Sequence, residues 1–340
     1  MSTNLVPEFN HGQAVDARSF PLAEAMATAQ PWVLRGLCRD WPLVQAATRS
    51  VGEFAHALAS MDNGATVNVL HIPAEAQGVV GFNASLDGFN YKHFKVTITD
   101  VLQRLAAYTK VGGPTPGVAL QSARVSECMP TFFQAHALPC LPDSVQPRLW
   151  LGNTVTTPAH VDASHNIAVV ACGRRRFTVF PVEQVANLYI GPLDFAPTEM
   201  PITMARPDAP DFDRHPKLRD ALEHALVADL LPGDALYLPP LWWHHVQSFG
   251  PLNALVNYWW SAAPASTLPE LPPIGALLHA VLAFGQLPQA ERRRWGSLFE
   301  HYVFGDNDPA EHLPDHRRGV LGPMSAEAET RLRERIKGGF

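Results

Sequence analysis

The chain has 340 residues, 46% hydrophobic and 17% charged, enough to bury a sizeable core in one large domain or one domain with an appendage. No apolar run approaches the roughly 20 residues needed to cross a bilayer, and a formal charge of −6 gives no general electrostatic reason to bind nucleic acid. The four cysteines, Cys38, Cys128, Cys140 and Cys172, form no Cys-x-x-Cys pair, which argues against a zinc ribbon or disulfide framework and for buried free thiols.

The opening residues, Met1 to Glu8, lack the basic start and apolar stretch of an export signal, so a cytoplasmic protein is expected. Residues 1 to about 60 mix an extended piece, Pro31 to Leu37, with an amphipathic helix opened by Ser50 and Glu53 in capping-box spacing. Thr66 to Ile72 alternates as a strand, and Thr99 to Leu105 starts a helix with Leu102 and Leu105 on its buried side. Gly81-Phe82-Asn83 and Phe89-Asn90-Tyr91 between them are loop-like. Gly112 to Gly117 is a breaker, followed by a short strand, Val118 to Ser122, and a proline-punctuated loop to Pro147.

From Arg148 the character changes to β. Leu149-Trp150-Leu151, then His160 to Ala171, then Arg175 to Phe180 are each bounded by Gly or Pro, a spacing that suggests a barrel or sandwich. Residues 187 to 216 are rich in Pro and Asp without periodicity, a long excursion of the kind that often faces substrate. Leu218, Ala221, Leu222, Ala225 and Leu226 follow at helical spacing, after which Pro232-Gly233-Asp234 turns the chain into a strand, Ala235 to Leu238. Asn253 to Trp260 reads as the last barrel strand. After Pro264 the pattern is helical, and Ile274 to Leu282 is too apolar all round to be a lone surface helix. A final amphipathic helix is expected over about Ser325 to Ile336. There is no internal repeat.

Two stretches carry the chemistry: Thr157-Pro158-Ala159-His160-Val161-Asp162, and Leu238-Pro239-Pro240-Leu241-Trp242-Trp243-His244-His245-Val246. Strand residues two apart share a face, so His160 and Asp162 can grip one metal ion, with a downstream histidine completing the set. Two imidazoles and a carboxylate on one face leave the opposite face open, as in non-haem Fe(II) oxygenases. A regular strand would put His160, Asp162, Asn166, Ala168 and Val170 on one face, with His165 on the other. Arg175 shares its face with Phe177 and Val179 and requires an anion there, whether a ligand carboxylate or a protein Asp or Glu. Arg174 and Arg176 point the other way, to a solvated face. Asn257 and Trp259 share a face by the same count. Parity alone does not choose between His244 and His245.

These stretches, with Asn166, Gly173-Arg174-Arg175-Arg176-Phe177, Gly233-Asp234 and Asn257-Tyr258-Trp259-Trp260, resemble the cupin-like JmjC-type Fe(II)/2-oxoglutarate-dependent oxygenases, in the style of the asparaginyl hydroxylase that inhibits hypoxia-inducible factor. The resemblance covers about residues 20 to 262. It implies a mainly β fold with helical additions: a double-stranded β-helix (jelly-roll or cupin barrel) over residues 1–262, including an N-terminal α/β framework, and a C-terminal helical region over 263–340. It implies His160, Asp162 and His244 as iron ligands, with His245 a neighbour. It places Thr157 and Arg175 at the far carboxylate of 2-oxoglutarate, Asn166 and Asn257 at its chelating end, and Trp259 as a wall. The chain departs from the hydroxylase in carrying Arg175 where that relative has lysine, and an arginine fork is not interchangeable with an ammonium.

What the resemblance implies in function is oxidation of a C–H bond by O2, with Fe(II) as cofactor and 2-oxoglutarate, decarboxylated to succinate, as cosubstrate. A protein or peptide side chain is the expected substrate, ahead of a small molecule or an RNA base. A cupin that binds a metal or small acid without turnover is the rival from another class. A zinc hydrolase is disfavoured, because the motif indicates no nearby general base. Apolar residues recurring at helical intervals from Leu268 to Phe304 point to a two-fold dimer through the C-terminal helices, the alternative being a monomer whose tail packs on its own barrel.

Overall fold

A computed structural model describes residues 4–197, 200–261 and 273–338. The chain forms two compact units, Met1–Ala262 and Ala263–Phe340. The junction expected at 262/263, and Leu268 at the start of the apolar tail, lie outside the described residues.

Eleven strands build the first unit: β1 (Asn4–Leu5), β2 (Trp32–Leu34), β3 (Val67–Ile72), β4 (Lys92–Val96), β5 (Gly117–Arg124), β6 (Pro147–Gly152), β7 (Thr156–His160), β8 (His165–Phe180), β9 (Leu226–Leu230), β10 (Ala235–Leu238) and β11 (Trp243–Trp260). Two of them, β8 and β11, are long and antiparallel to each other. Residues 165–172 of β8 pair with the far end of β11, from Ala254 to Trp260, and residues 174–180 with its near end, from Trp243 to Phe249. The first half of this ribbon is flanked by β6 and β10, the second by β7 and β9. The ribbon therefore belongs to two layers at once. Between them lies an apolar cluster to which one layer gives Ala168, Val170, Leu236 and Leu255, and the other Phe177, Val179, Ala228 and Val246.

The N-terminal framework extends the first layer through β5, β3 and β4. Its helices cover the outer face of that layer, where Leu43, Phe54, Leu58, Ile98 and Leu105 pack with Leu149, Leu151, Ile167, Val169 and Val256. The helix Ile98–Tyr108 is opened by a full capping box between Thr97 and Asp100, and Leu102 and Leu105 are buried as its periodicity predicts. At Val51–Ala59 only half of the expected box is made. Ser50 accepts from the Glu53 amide, while the Glu53 carboxylate is taken by Arg49. The excursion after β8 covers the outer face of the second layer, with Leu188, Ala205, Leu218 and Ala221 against Phe180 and Trp243.

The mainly β architecture with helical additions is as the sequence leads one to expect, but several element boundaries are corrected. The strand expected over His160 to Ala171 is interrupted, because the chain must pass from the second layer to the first; residues 161–164 make that crossing. Gly173 does not end a strand. Its φ of +78° lets β8 kink and continue into the other layer. Leu226 begins β9 instead of extending the helix, which stops at Glu223, because β9 is captured between β8 and β1. The last strand starts ten residues earlier than Asn253, at Trp243. Lys92–Val96 is an exposed edge strand without apolar alternation, and the loop expected before Pro147 contains helical turns at Val125–Cys128 and Pro130–Gln134.

The second unit contains helices Pro273–Phe284, Gln289–Phe299 and Ala326–Gly338. Phe284 packs on Trp295 and Phe299 at ring separations of 5.0 and 5.7 Å. Leu282, Val303 and Phe304 nevertheless remain 79%, 61% and 68% exposed. Among the described residues no helix is long and apolar enough to cross a membrane.

The kink at Gly173 yields a stability test. A Cβ there would lie 2.2 Å from Asn253 Oδ1 and 2.7 Å from the Leu252 carbonyl oxygen, whereas one at Gly250, also at positive φ, meets open space. Gly173→Ala is expected to destabilise by about 3 kcal/mol, combining backbone strain with a steric clash. Gly250→Ala should lose only about 1 kcal/mol. Urea unfolding of the two variants measures the difference, and equal losses would contradict the packing argument.

Candidate metal centre

The second stretch of chemistry-bearing sequence becomes the near end of β11. His244 lies directly across from His160 on one side and Val179 on the other, so its side chain points between the layers. His245 points to the outer face, where its Nε2 lies 3.2 Å from Asp208 Oδ1 in the excursion. Burial opposes ionisation of Asp208, but the adjacent His245 and a hydrogen bond from Arg206 outweigh it and hold the carboxyl well below its usual range. The two histidines, inseparable by parity, are thus separated by layer.

His160, Asp162 and His244 each offer a ligand atom, all within 4.8 Å of one another. His160 Nδ1 is bonded to the Pro158 carbonyl and His244 Nδ1 to the Trp242 carbonyl, both at 3.0 Å. A carbonyl only accepts, so each Nδ1 carries the proton and each Nε2 presents a lone pair. The rings stand 4.1 Å apart between centroids. Burial, then the neighbouring His160, lowers the His244 pKa to about 4 despite the attraction of Asp162, so its imidazole is neutral at pH 7.

Asp162 reaches this cluster from outside any strand, in the crossing between layers. Trp259 Nε1 donates to its Oδ2 at 3.0 Å, and Leu241 N donates to its main-chain oxygen at 2.8 Å. Leu241 has φ +64°, a left-handed conformation unfavourable for leucine, in the turn that leads from β10 into Trp242 and His244. Trp259, expected as a wall, therefore also orients the carboxylate.

The remaining predicted residues fall on the inner face. Asn166, Asn257 and Trp259 share one side of the first layer, and Asn257 Nδ2 donates to Asn166 Oδ1 at 2.8 Å, leaving Asn257 Oδ1 buried without a partner. Arg175 sits across from Ser248 on the side of Phe177 and Val179, with its Nε buried and unpartnered among the described residues. Burial pulls its pKa down to about 10. Arg174 and Arg176 lie outward and share Asp229. Thr157 reaches the inner face through a bulge: His244 faces His160 but Val246 faces Thr157, so β7 spends one more residue than β11 over that span. Pro158, with no N–H to lose, occupies the bulge.

Thr157 and Arg175 line one small cleft together with Gln121, Trp150 and Val246. The sequence alone assigns no role to Trp150 or Gln121. Trp150 carried a signal, since it alternates with Leu149 and Leu151; Gln121 had none beyond its region. The donor set fits a metal of the two-histidine, one-carboxylate class, and the orphaned Arg175 fits an anion beside it.

A family model described as a cupin-like domain matches residues 17–266. HSPB1-associated protein 1 of Homo sapiens is 34% identical over 119 residues, which is 33% of this chain and 22% of that protein. Jumonji C domain-containing protein 5 of Drosophila melanogaster is 35% identical over 122 residues, 35% of this chain and 28% of that protein. Lysine-specific demethylase JMJ31 of Arabidopsis thaliana is 27% identical over 155 residues, 45% of this chain and 26% of that protein. The alignments thus span about a quarter of each relative's length. The family match, by contrast, takes in most of this chain together with its fold and all three clustered ligands, and the chain belongs to the cupin-like domain family.

Proposed function

We propose that the chain is an Fe(II)- and 2-oxoglutarate-dependent dioxygenase that hydroxylates a C–H bond in a protein or peptide side chain. The observation that carries this reading is a two-histidine, one-carboxylate cluster on the same inner face as a buried arginine that has no protein anion among the described residues. A metal alone would explain the first but not the second. Relatives named as a lysine-specific demethylase and as a protein associated with HSPB1 support a macromolecular substrate.

In this reading His160, Asp162 and His244 hold the iron, which with 2-oxoglutarate supplies the oxidising power for O2-dependent hydroxylation. The chain's own contribution is positional. The Pro158 and Trp242 carbonyls fix which imidazole nitrogen is available, and Trp259 fixes the Asp162 carboxylate. Thr157 and Arg175 bind the carboxylate remote from the metal, and the Asn166–Asn257 pair borders the chelating end. Burial around Ala168, Val170, Phe177 and Val246 keeps bulk water from the reacting centre.

His160→Ala, Asp162→Ala and His244→Ala are each expected to abolish Fe(II)-dependent succinate release, while His245→Ala retains metal binding. Trp259→Phe should weaken the metal by about tenfold through loss of its bond to Asp162. Iron titration of the five variants checks this, and retention of iron by His244→Ala with its loss in His245→Ala would reverse the assignment.

Arg175→Ala is expected to weaken 2-oxoglutarate by at least about tenfold, since it removes charge-assisted hydrogen bonds, with Fe(II) affinity unchanged. Calorimetry of the iron-loaded variants under anaerobic conditions measures both. Arg174→Ala serves as the control, and an undiminished affinity in Arg175→Ala refutes the role.

The exposed apolar residues Leu277, Val281, Leu282 and Val303 support a two-fold dimer through the second unit. The full chain should then sediment as a dimer at micromolar concentration and Leu282→Arg as a monomer. A monomeric unmodified protein excludes it.

A further inference from the structure

The cleft at Arg175 contains a second orphan. Trp150 stands on β6 across from Leu255, on the face that carries Asn257 and Trp259, while its neighbours Leu149 and Leu151 point into the helical side. Its Nε1 is buried and has no acceptor among the described residues. An unpaired buried N–H of this kind is destabilising; Trp243 Nε1 on the outer face shares that condition, but Trp150 alone of the two lines the same cleft as Arg175. Rotation offers no relief, because the indole is packed edge-on against Trp259 at 6.2 Å and 80°.

The charge of the cleft is one-sided. Trp150 and Arg175 are donors only, the Gln121 amide offers both a donor and an acceptor, and no Asp or Glu lines the cleft among the described residues. The one other hydroxyl besides Thr157, that of Ser248, is already committed to the Asn153 and Val155 carbonyls. A group that satisfies the two orphans must therefore accept hydrogen bonds and carry negative charge. A carboxylate has about four acceptor positions on two oxygens, enough for a guanidinium fork, a hydroxyl and an indole together. The metal ligands are not among the residues lining this cleft, so it holds the end of the ligand remote from them.

We propose that Trp150 is a binding residue for the cosubstrate, donating its indole N–H to the remote carboxylate alongside Arg175 and Thr157, and so favours 2-oxo diacids over 2-oxo monoacids. This rests on the 2-oxoglutarate reading above. Through its contact with Trp259, which holds Asp162, the same ring joins the anion end of the site to the metal end.

The test compares 2-oxoglutarate with pyruvate, which keeps the chelating end and lacks the remote carboxylate. In anaerobic calorimetry of the Fe(II)-loaded full chain, Trp150→Phe should bind 2-oxoglutarate about tenfold more weakly, the loss of one hydrogen bond to a charged group. Its affinities for pyruvate and for Fe(II) should not change. In the unmodified protein carrying 15N-labelled indole, the Trp150 Nε1–H resonance should move downfield with 2-oxoglutarate and stay in place with pyruvate, a readout that requires no variant to fold. Equal weakening for both acids, an unchanged 2-oxoglutarate affinity, or a resonance indifferent to 2-oxoglutarate overturns the proposal while leaving the wider reading intact. If the unmodified protein binds neither acid, both fall together.

Discussion

The antiparallel ribbon of β8 and β11 is the constraint on which the molecule depends. Its register is continuous in direction from Trp243 opposite Phe180 to Trp260 opposite His165, interrupted only where the two layers meet. Because strand partners share a face, this one pairing decides that His244, Val246, Arg175 and Phe177 face inward in one layer, and Asn166, Asn257 and Trp259 in the other. Slipping β11 by one residue against β8 would turn His244, Val246, Asn257 and Trp259 outward and bring Trp243 and His245 into the interior. The apolar cluster between the layers opposes such a shift, so the packing of the core and the aim of the polar residues are a single fact.

How much of this can be read from the sequence follows from which signals are local. His160, Asp162 and His244 are legible because their neighbours are short, distinctive and ordered along the chain. Arg175 is legible because strict alternation holds along the second half of β8. Alternation misleads where the chain changes layers: His160 and Asp162 do not share a face of one strand, and they meet because a crossing segment swings the carboxylate back toward the histidines. Thr157 illustrates the reverse case. Its odd spacing from His160 argues against a shared face, and only a bulge visible in the pairing restores it. The role of Trp150 depends on what its indole lacks, which no pattern of residue types reveals.

The inner polar residues share a common physical character. Arg175, Trp150 and Asn257 each keep a buried atom without a partner, a condition that destabilises the protein by itself. Several residues of the same types elsewhere are satisfied, since Arg174 and Arg176 share Asp229, Trp41 Nε1 reaches the Ala137 carbonyl and Asn153 bonds to β5 and its approach, whereas Trp243 Nε1 on the outer face and Asn253 Oδ1 are also left unpartnered. What distinguishes Arg175, Trp150 and Asn257 is their place, since all three lie on the inner faces that also carry the metal cluster. At those three positions a charged ligand between the layers can remove the polar deficit.

The bulge at Pro158 bears on which parts of such a chain can change length. The described part of the excursion between β8 and β9 covers an outer face, and surface segments of that kind accept insertions more readily than paired strands do. The three-residue step from Thr157 to His160 has no such freedom. Losing one residue there would leave the histidine opposite His244 and rotate the threonine hydroxyl out of the cleft, so that the metal and anion ends would no longer be served by the same strand. Spacing along this short segment acts as a ruler between two chemistries, and variation among related chains should appear in what residue fills the bulge before it appears in how many do.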